Sequence, residues 1–193
     1  TSNSITYNEG GTGTYYIPSG LTDVVINYAT DAALPEYAFA GVTVIKNVTL
    51  NNVTEIGSNA FAGCTALTKV GFGTAKKLET IYSSAFSGCT ALYNIDLASL
   101  TGLKTVYQSA FSGCSKLGVG YEKIELPAAT YMDKAFKDCT SLKSLDFRNV
   151  VSIGDACFYG CTGLEDVDIE KNDSRLKAAY EMVFAGCTKL LDK

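Results

Sequence analysis

One short pattern, repeated along the whole chain, limits what this sequence can fold into more than any other feature. Ala60-Phe61-Ala62-Gly63-Cys64-Thr65-Ala66-Leu67, followed by Thr68-Lys69-Val70-Gly71-Phe72, reads A-F-x-G-C-x-x-L-x-x-V-x-F. Its phenylalanine recurs at Phe39, Phe61, Phe86, Phe111, Phe136, Phe158 and Phe184, at intervals of 22, 25, 25, 25, 22 and 26 residues. A unit of that length cannot bury its own apolar face and must stack on its neighbours, so the period calls for a solenoid. No break divides the array, and residues 21–193 are expected to form one continuous domain of about seven repeats.

Within each repeat, an L-x-x-V-x-I segment reads as a strand. The expected strands are Leu21 to Ile26, Ile45 to Leu50, Leu67 to Phe72, Leu92 to Leu97, Ile124 to Leu126, Leu142 to Phe147 and Leu164 to Ile169, all in one parallel sheet. The last two apolar positions of each lie two apart and face the core, while the residues beside them face out. The chain then returns through a second apolar pair, such as Val53 with Ile56 or Leu78 with Ile81, and enters Ala-Phe-x-Gly-Cys. Ala60, Phe61, Cys64 and Leu67 share one side of a short helical turn at this spacing, with glycines such as Gly63 and Gly88 ending it. The predicted class is thus α/β: a right-handed superhelix with a parallel β-sheet face and short helical turns opposite. Residues 1–20 fall outside the repeat. Ser4 to Tyr7 and Thr14 to Ile17 look like strands around a glycine-rich turn, predicting a hairpin that caps the open end of the stack.

Units such as Ile56-Gly57-Ser58-Asn59-Ala60-Phe61-Ala62-Gly63-Cys64-Thr65-Ala66-Leu67 and Ile153-Gly154-Asp155-Ala156-Cys157-Phe158-Tyr159-Gly160-Cys161-Thr162-Gly163-Leu164 resemble the BspA-type leucine-rich repeat, over roughly residues 21 to 191. That resemblance implies a secreted or surface-displayed protein, often an adhesin-like binder of other proteins. It specifies the fold far better than the ligand.

Composition removes several function classes. With 16 basic and 20 acidic residues the net charge is −4, which leaves no basic excess for nucleic acid or anionic lipid. No apolar run approaches the roughly 20 residues of a membrane helix. Without histidine the usual catalytic triads and the commonest general base are missing, so no enzyme and no cofactor are expected. Six of the seven cysteines, Cys64, Cys89, Cys114, Cys139, Cys161 and Cys187, follow the repeat phenylalanine by three residues, and Val42 holds that place in the first unit. Valine there asks for a small apolar side chain, so the six read as a free structural ladder rather than as disulfides or a zinc site. Both methionines, Met132 and Met182, are internal, which points to a processed or engineered fragment, and the chain is expected to be a monomer.

The informative surface is the outward face of the sheet. One outward column contains Val25, Thr49, Gly71, Asp96, Glu125, Asp146 and Asp168; the preceding one contains Lys69, Asn94, Lys123, Ser144 and Asp166, with Arg148 on the far side. Four successive acids at about 4.8 Å strand spacing repel one another by roughly 1 kcal/mol per neighbour. This acidic ladder is the candidate docking face for a basic patch on a protein of a host or neighbouring cell. A divalent cation bridging Glu125, Asp146 and Asp168 is a lesser alternative. A glycan-binding role rests on Tyr82 and Tyr107, which should stack in adjacent repeats, and on Tyr121 in the inserted loop at 118–123. A structural spacer within a larger surface protein is the third reading.

Overall fold

A computed structural model describes residues 4–7, 18, 20–74, 77–120, 124–125, 131–146, 153–168 and 180–190 of the chain. Among the described residues eleven strands, all paired in parallel, wind through the coils. They fall into two lanes. The front lane begins with β1 (Ser4–Tyr7), β2 (Asp23–Leu34), β3 (Asn47–Ile56), β4 (Lys69–Gly71) and β6 (Asn94–Ile95). A second front sheet contains β8 (Ile124–Glu125), β10 (Ser144–Asp146) and β11 (Asp166–Asp168). The return lane consists of the distal ends of β2 and β3 followed by β5 (Thr80–Ile81), β7 (Thr105–Val106) and β9 (Tyr131–Met132), and a single bridge from Met132 to Ile153 extends it.

Every one of the seven expected strands overlaps a front-lane strand. The single sheet does not hold, because the second apolar pair of each repeat also forms a ladder: Glu55 pairs with Thr80, Thr80 with Thr105, and Thr105 with Tyr131. The expected hairpin has one arm, residues 4–7, within the described residues. β1 pairs with β2 in parallel, Ser4 opposite Asp23 through Tyr7 opposite Ile26, so it adds a rung to the solenoid. The other expected arm, residues 14–17, lies outside the described residues.

The expected helical turns are replaced by a third hydrogen-bonded seam. Ala60 N–H donates to Gly57 O, Ala62 to Asn59 O and Cys64 to Phe61 O, each three residues back. The amides between them reach the next coil instead: Asn59 to Ser83 O, Phe61 to Ala85 O and Gly63 to Ser87 O, at 2.7–3.0 Å. An α-helix needs every one of those amides for its own i−4 carbonyls, so alternate donation outward forbids it. Positive φ at Asn59, Ser84, Ser109, Lys134 and Ala156, and again at Gly63, Gly88, Gly113 and Gly160, closes the turn twice in each coil. Among the described residues the one α-helix is α1 (Tyr180–Val183). The class is therefore a parallel β-solenoid of stacked coils rather than α/β.

The core is a set of columns running along the stack. Phe61, Phe86, Phe111, Phe136 and Phe158 are wholly buried, and consecutive rings from Phe39 to Phe184 lie 5.2–5.6 Å apart with planes within 12° of parallel. Beside them run Val24, Val48, Val70, Ile95, Ile124 and Leu145 from the front lane, and Val53, Leu78 and Leu103 from the return. Parallel stacking adds about 0.5–1.5 kcal/mol per ring pair to the burial itself.

All seven cysteines are free and buried. Each ladder thiol donates to the phenylalanine carbonyl of the preceding coil: Cys64 to Phe39 O, Cys89 to Phe61 O, Cys114 to Phe86 O, Cys139 to Phe111 O, Cys161 to Phe136 O and Cys187 to Phe158 O, at 3.1–3.2 Å. The position therefore wants a small side chain with a weak donor, not simply an apolar one.

Candidate functional site

The front lane presents its outward residues in rows set by strand register. Asp23, Asn47, Lys69 and Asn94 form one row, and Val25, Thr49 and Gly71 form the next. The first row is partly tied down: Asn47 Nδ2 donates to Asp23 Oδ1 at 2.8 Å, and Thr22 Oγ1 donates to Asp23 Oδ2 at 2.6 Å. Those two bonds, Thr22 first, hold the Asp23 carboxyl below its usual range.

At Gly71 the second row loses its side chain, and a depression of about 280 Å³ opens there. It is lined by Lys69, Val70, Gly71, Phe72, Gly73, Asn94, Asp96, Ser99 and Leu100. Val70, Phe72 and Leu100 are buried beneath it, while Lys69, Asp96 and Ser99 are exposed around it. Asp96 is positioned by a local turn, in which Ser99 N–H donates to Asp96 Oδ1 at 3.2 Å and Ser99 Oγ donates to Asp96 O at 3.0 Å. Gly73 next to it is pinned in place. A β-carbon there would overlap the Asn51 Oδ1 that accepts Thr74 N–H at 3.1 Å.

The acidic ladder comes apart into two places. Glu125, Asp146 and Asp168 do stand abreast, since β8, β10 and β11 pair in that register. Asp96 belongs to the other sheet, and no described ladder joins β6 to β8. Asp146 also fails as an exposed contact, being only 5% accessible. It lies on the central strand of three, with an acidic position on each side, whereas Asp96 has the bare Gly71 beside it on the neighbouring strand and stays open. Ser144 is half-buried and Asp166 exposed. Lys123, Arg148 and Tyr121 lie outside the described residues. The groups brought together are Lys69, Asn94 and Asp96. Sequence reasoning missed Gly71, Phe72, Ser99 and Leu100, although a glycine following valine and threonine in an outward row was a visible signal.

Tyr82 and Tyr107 stack as expected, with centroids 5.2 Å apart and planes 2° from parallel. Each thereby uses one ring face on the other. The negative charge of Glu55, followed by burial, raises the Tyr82 phenol, which is also hydrogen-bonded to Glu55. The pair stands beside the return lane, with Tyr107 39% accessible. Among the described residues no group of three or more acids and cysteines is placed to hold a metal ion, and no helix is long and apolar enough to cross a membrane.

Comparison with known proteins accords with this coil geometry. The BspA type leucine rich repeat region matches in six copies, over residues 12–120 and 120–192. The chain belongs to the BspA-type leucine-rich repeat family. Among solved structures, this BspA-type chain is similar to the leucine rich repeat protein of T. pallidum, with a TM-score of 0.69 and 26% identity over 86% of this chain and 74% of that one. It is also similar in fold to a leucine rich cell surface protein from Faecalibacterium prausnitzii A2-165, with a TM-score of 0.56 and 23% identity over 86% of this chain. The match spans 47% of the F. prausnitzii chain, about half its length. No curated protein matches.

Proposed function

We propose that this BspA-type chain is a non-enzymatic binding module displayed outside the cell, which engages a protein on a host or neighbouring cell through the front lane of the solenoid. The observation that carries the reading is the outward face itself. Polar side chains at Lys69, Asn94, Asp96 and Asp166 stand on short strands whose inner faces are locked into the phenylalanine and aliphatic columns. A rigid, polar, regularly spaced surface loses little entropy on docking, and mixed charges on it give specificity and on-rate. The F. prausnitzii relative is described as a cell surface protein, which supports the location.

The test compares the native chain with a Lys69→Ala, Asn94→Ala, Asp96→Asn, Asp166→Asn variant in binding to immobilised extracellular-matrix and cell-surface proteins, at low and physiological salt. A protein retained by the native chain and released by the variant supports the front lane as the interface. Equal retention removes it, and retention of nothing by either favours a spacer.

A further inference from the structure

The depression at Gly71 has a chemistry that a flat protein interface does not require. Its floor is more apolar than polar, with Val70 and Leu100 buried under it and Phe72, 8% accessible, reaching its surface. Its rim is polar, with Lys69 and Asn94 from one row, Asp96 from the row of Gly71 itself and Ser99 from the turn that follows. The rim offers both donors and acceptors: an ammonium, a carboxamide, a carboxylate and a hydroxyl. Lys69 makes no ion pair among the described residues, so its charge is not already spent on the protein. One positive and one negative group leave the rim neutral overall.

We infer that this depression is a subsite for a neutral hexopyranose unit of a surface glycan. A pyranose ring has an apolar C–H face and hydroxyls around its whole edge, each able to donate and accept. That matches an apolar floor inside a polar rim better than a single phenol or a lone charged side chain does. The rim's neutrality favours an uncharged sugar over a sialic or uronic acid. At about 280 Å³ the space is at the small end of ligand pockets, enough for one ring and not for an oligosaccharide. Shallow, single-ring binding of this kind is expected at millimolar dissociation constants. Avidity from many copies displayed together is what makes such a site useful.

The inference stands independently of the protein-binding reading, and one substitution separates them. Gly71 lies in a strand without positive φ, and a β-carbon there meets only Thr49 Oγ1 and Val48 O at 3.9 Å, ordinary contact. Gly71→Thr therefore fills the depression while extending the Val25 and Thr49 row, and the fold should survive it with an unchanged or raised thermal midpoint. Asp96→Asn keeps the Oδ1 that accepts Ser99 N–H and removes only the charge.

The experiment is amide-resolved NMR titration of the native chain with the methyl glycosides of glucose, galactose, mannose and N-acetylglucosamine. The expected result is a saturable shift with at least one of them, concentrated on residues 69–73 and 94–100. Gly71→Thr should abolish it, and Asp96→Asn should weaken it about tenfold, the loss of one charge-assisted hydrogen bond. No saturable shift with any of the four overturns the inference, as does a shift that persists in folded Gly71→Thr. A captured protein that Gly71→Thr releases, in the absence of any glycoside shift, assigns the depression to protein contact and overturns it as well.

Discussion

Truncating a phenylalanine in the middle of the stack should cost far more than truncating one at its end. Phe111 is wholly buried and lies between Phe86 at 5.3 Å and Phe136 at 5.2 Å, nearly parallel to both. Loss of a buried phenylalanine side chain costs about 3–5 kcal/mol when the cavity cannot collapse. The hydrogen-bonded turn seam on either side holds the coils apart here, so collapse is resisted. Two ring pairs add about 0.5–1.5 kcal/mol each, bringing Phe111→Ala to roughly 4–8 kcal/mol. Phe39 is only half-buried and has one recorded ring neighbour, Phe61 at 5.3 Å. Phe39→Ala should therefore cost about 2–3 kcal/mol. Equilibrium urea unfolding followed by far-ultraviolet circular dichroism measures both, with slopes compared to detect loss of two-state behaviour. A Phe86→Leu, Phe111→Leu cycle isolates the ring-pair coupling. If the two alanine variants agree within about 1 kcal/mol, or the cycle gives no coupling, stacking along the column is not what holds the coils together.

Alkaline pH should unfold the protein through its thiols. Burial raises Cys64 from an ordinary value of 9.0 to about 11 and Cys114 and Cys157 to about 12, and lifts Cys89 and Cys139 well above 9.0. Because the folded values are raised, their contribution is complete below pH 9 and drains away as pH climbs toward the folded values, at about 1.4 kcal/mol per pH unit for each buried thiol. Unfolding monitored between pH 8 and 12 should shift upward in pH when Cys114 is replaced by Val, and an unchanged transition refutes this origin. Ellman's reagent should meanwhile find no reactive ladder thiol until the chain unfolds. Gly57→Ala should destabilise by at least about 3 kcal/mol, since its β-carbon would lie 2.6 Å from Leu34 O and Glu36 N, backbone that cannot swing aside. A thermal midpoint close to the native one would contradict that crowding. Ala156→Gly should stabilise by about 0.5–1 kcal/mol, because Ala156 is held at φ 51° where other repeats place Asn59 or Ser84. Chemical denaturation showing a loss would mean that the strain is offset elsewhere.

The repeat was legible because its period is a one-dimensional signal. Val48 and Leu50, or Ile95 and Leu97, alternate at the spacing of a strand, and each pair is buried as that alternation requires. Ala60, Phe61, Cys64 and Leu67 are likewise buried together, but the same spacing fits a helix or a run of tight turns. What decides between them is where the alternate amides go, and Phe61 N–H goes to Ala85 O in the next coil. No local pattern carries that information. The second ladder was hidden for a similar reason, since a two-residue strand such as Thr80–Ile81 has no recognisable period by itself.

The candidate site shows the same division. Lys69, Asn94 and Asp96 could be placed on one outward face from the register of the repeats alone. Their meeting around a depression depended on the absent side chain at Gly71 and on the turn that draws Ser99 to Asp96. Asp146 looked equivalent to Asp96 in the alignment of repeats and is buried, because burial is set by what neighbouring strands cover and not by position in the unit. By itself, then, the sequence determined the family, the stacking direction and the inward columns, all consequences of period and alternation. Only the tertiary structure decided whether the turns were helical, how many ladders bound the coils, and which polar residues stayed open to solvent. Those outcomes depend on hydrogen bonds and contacts between coils some 22 to 26 residues apart.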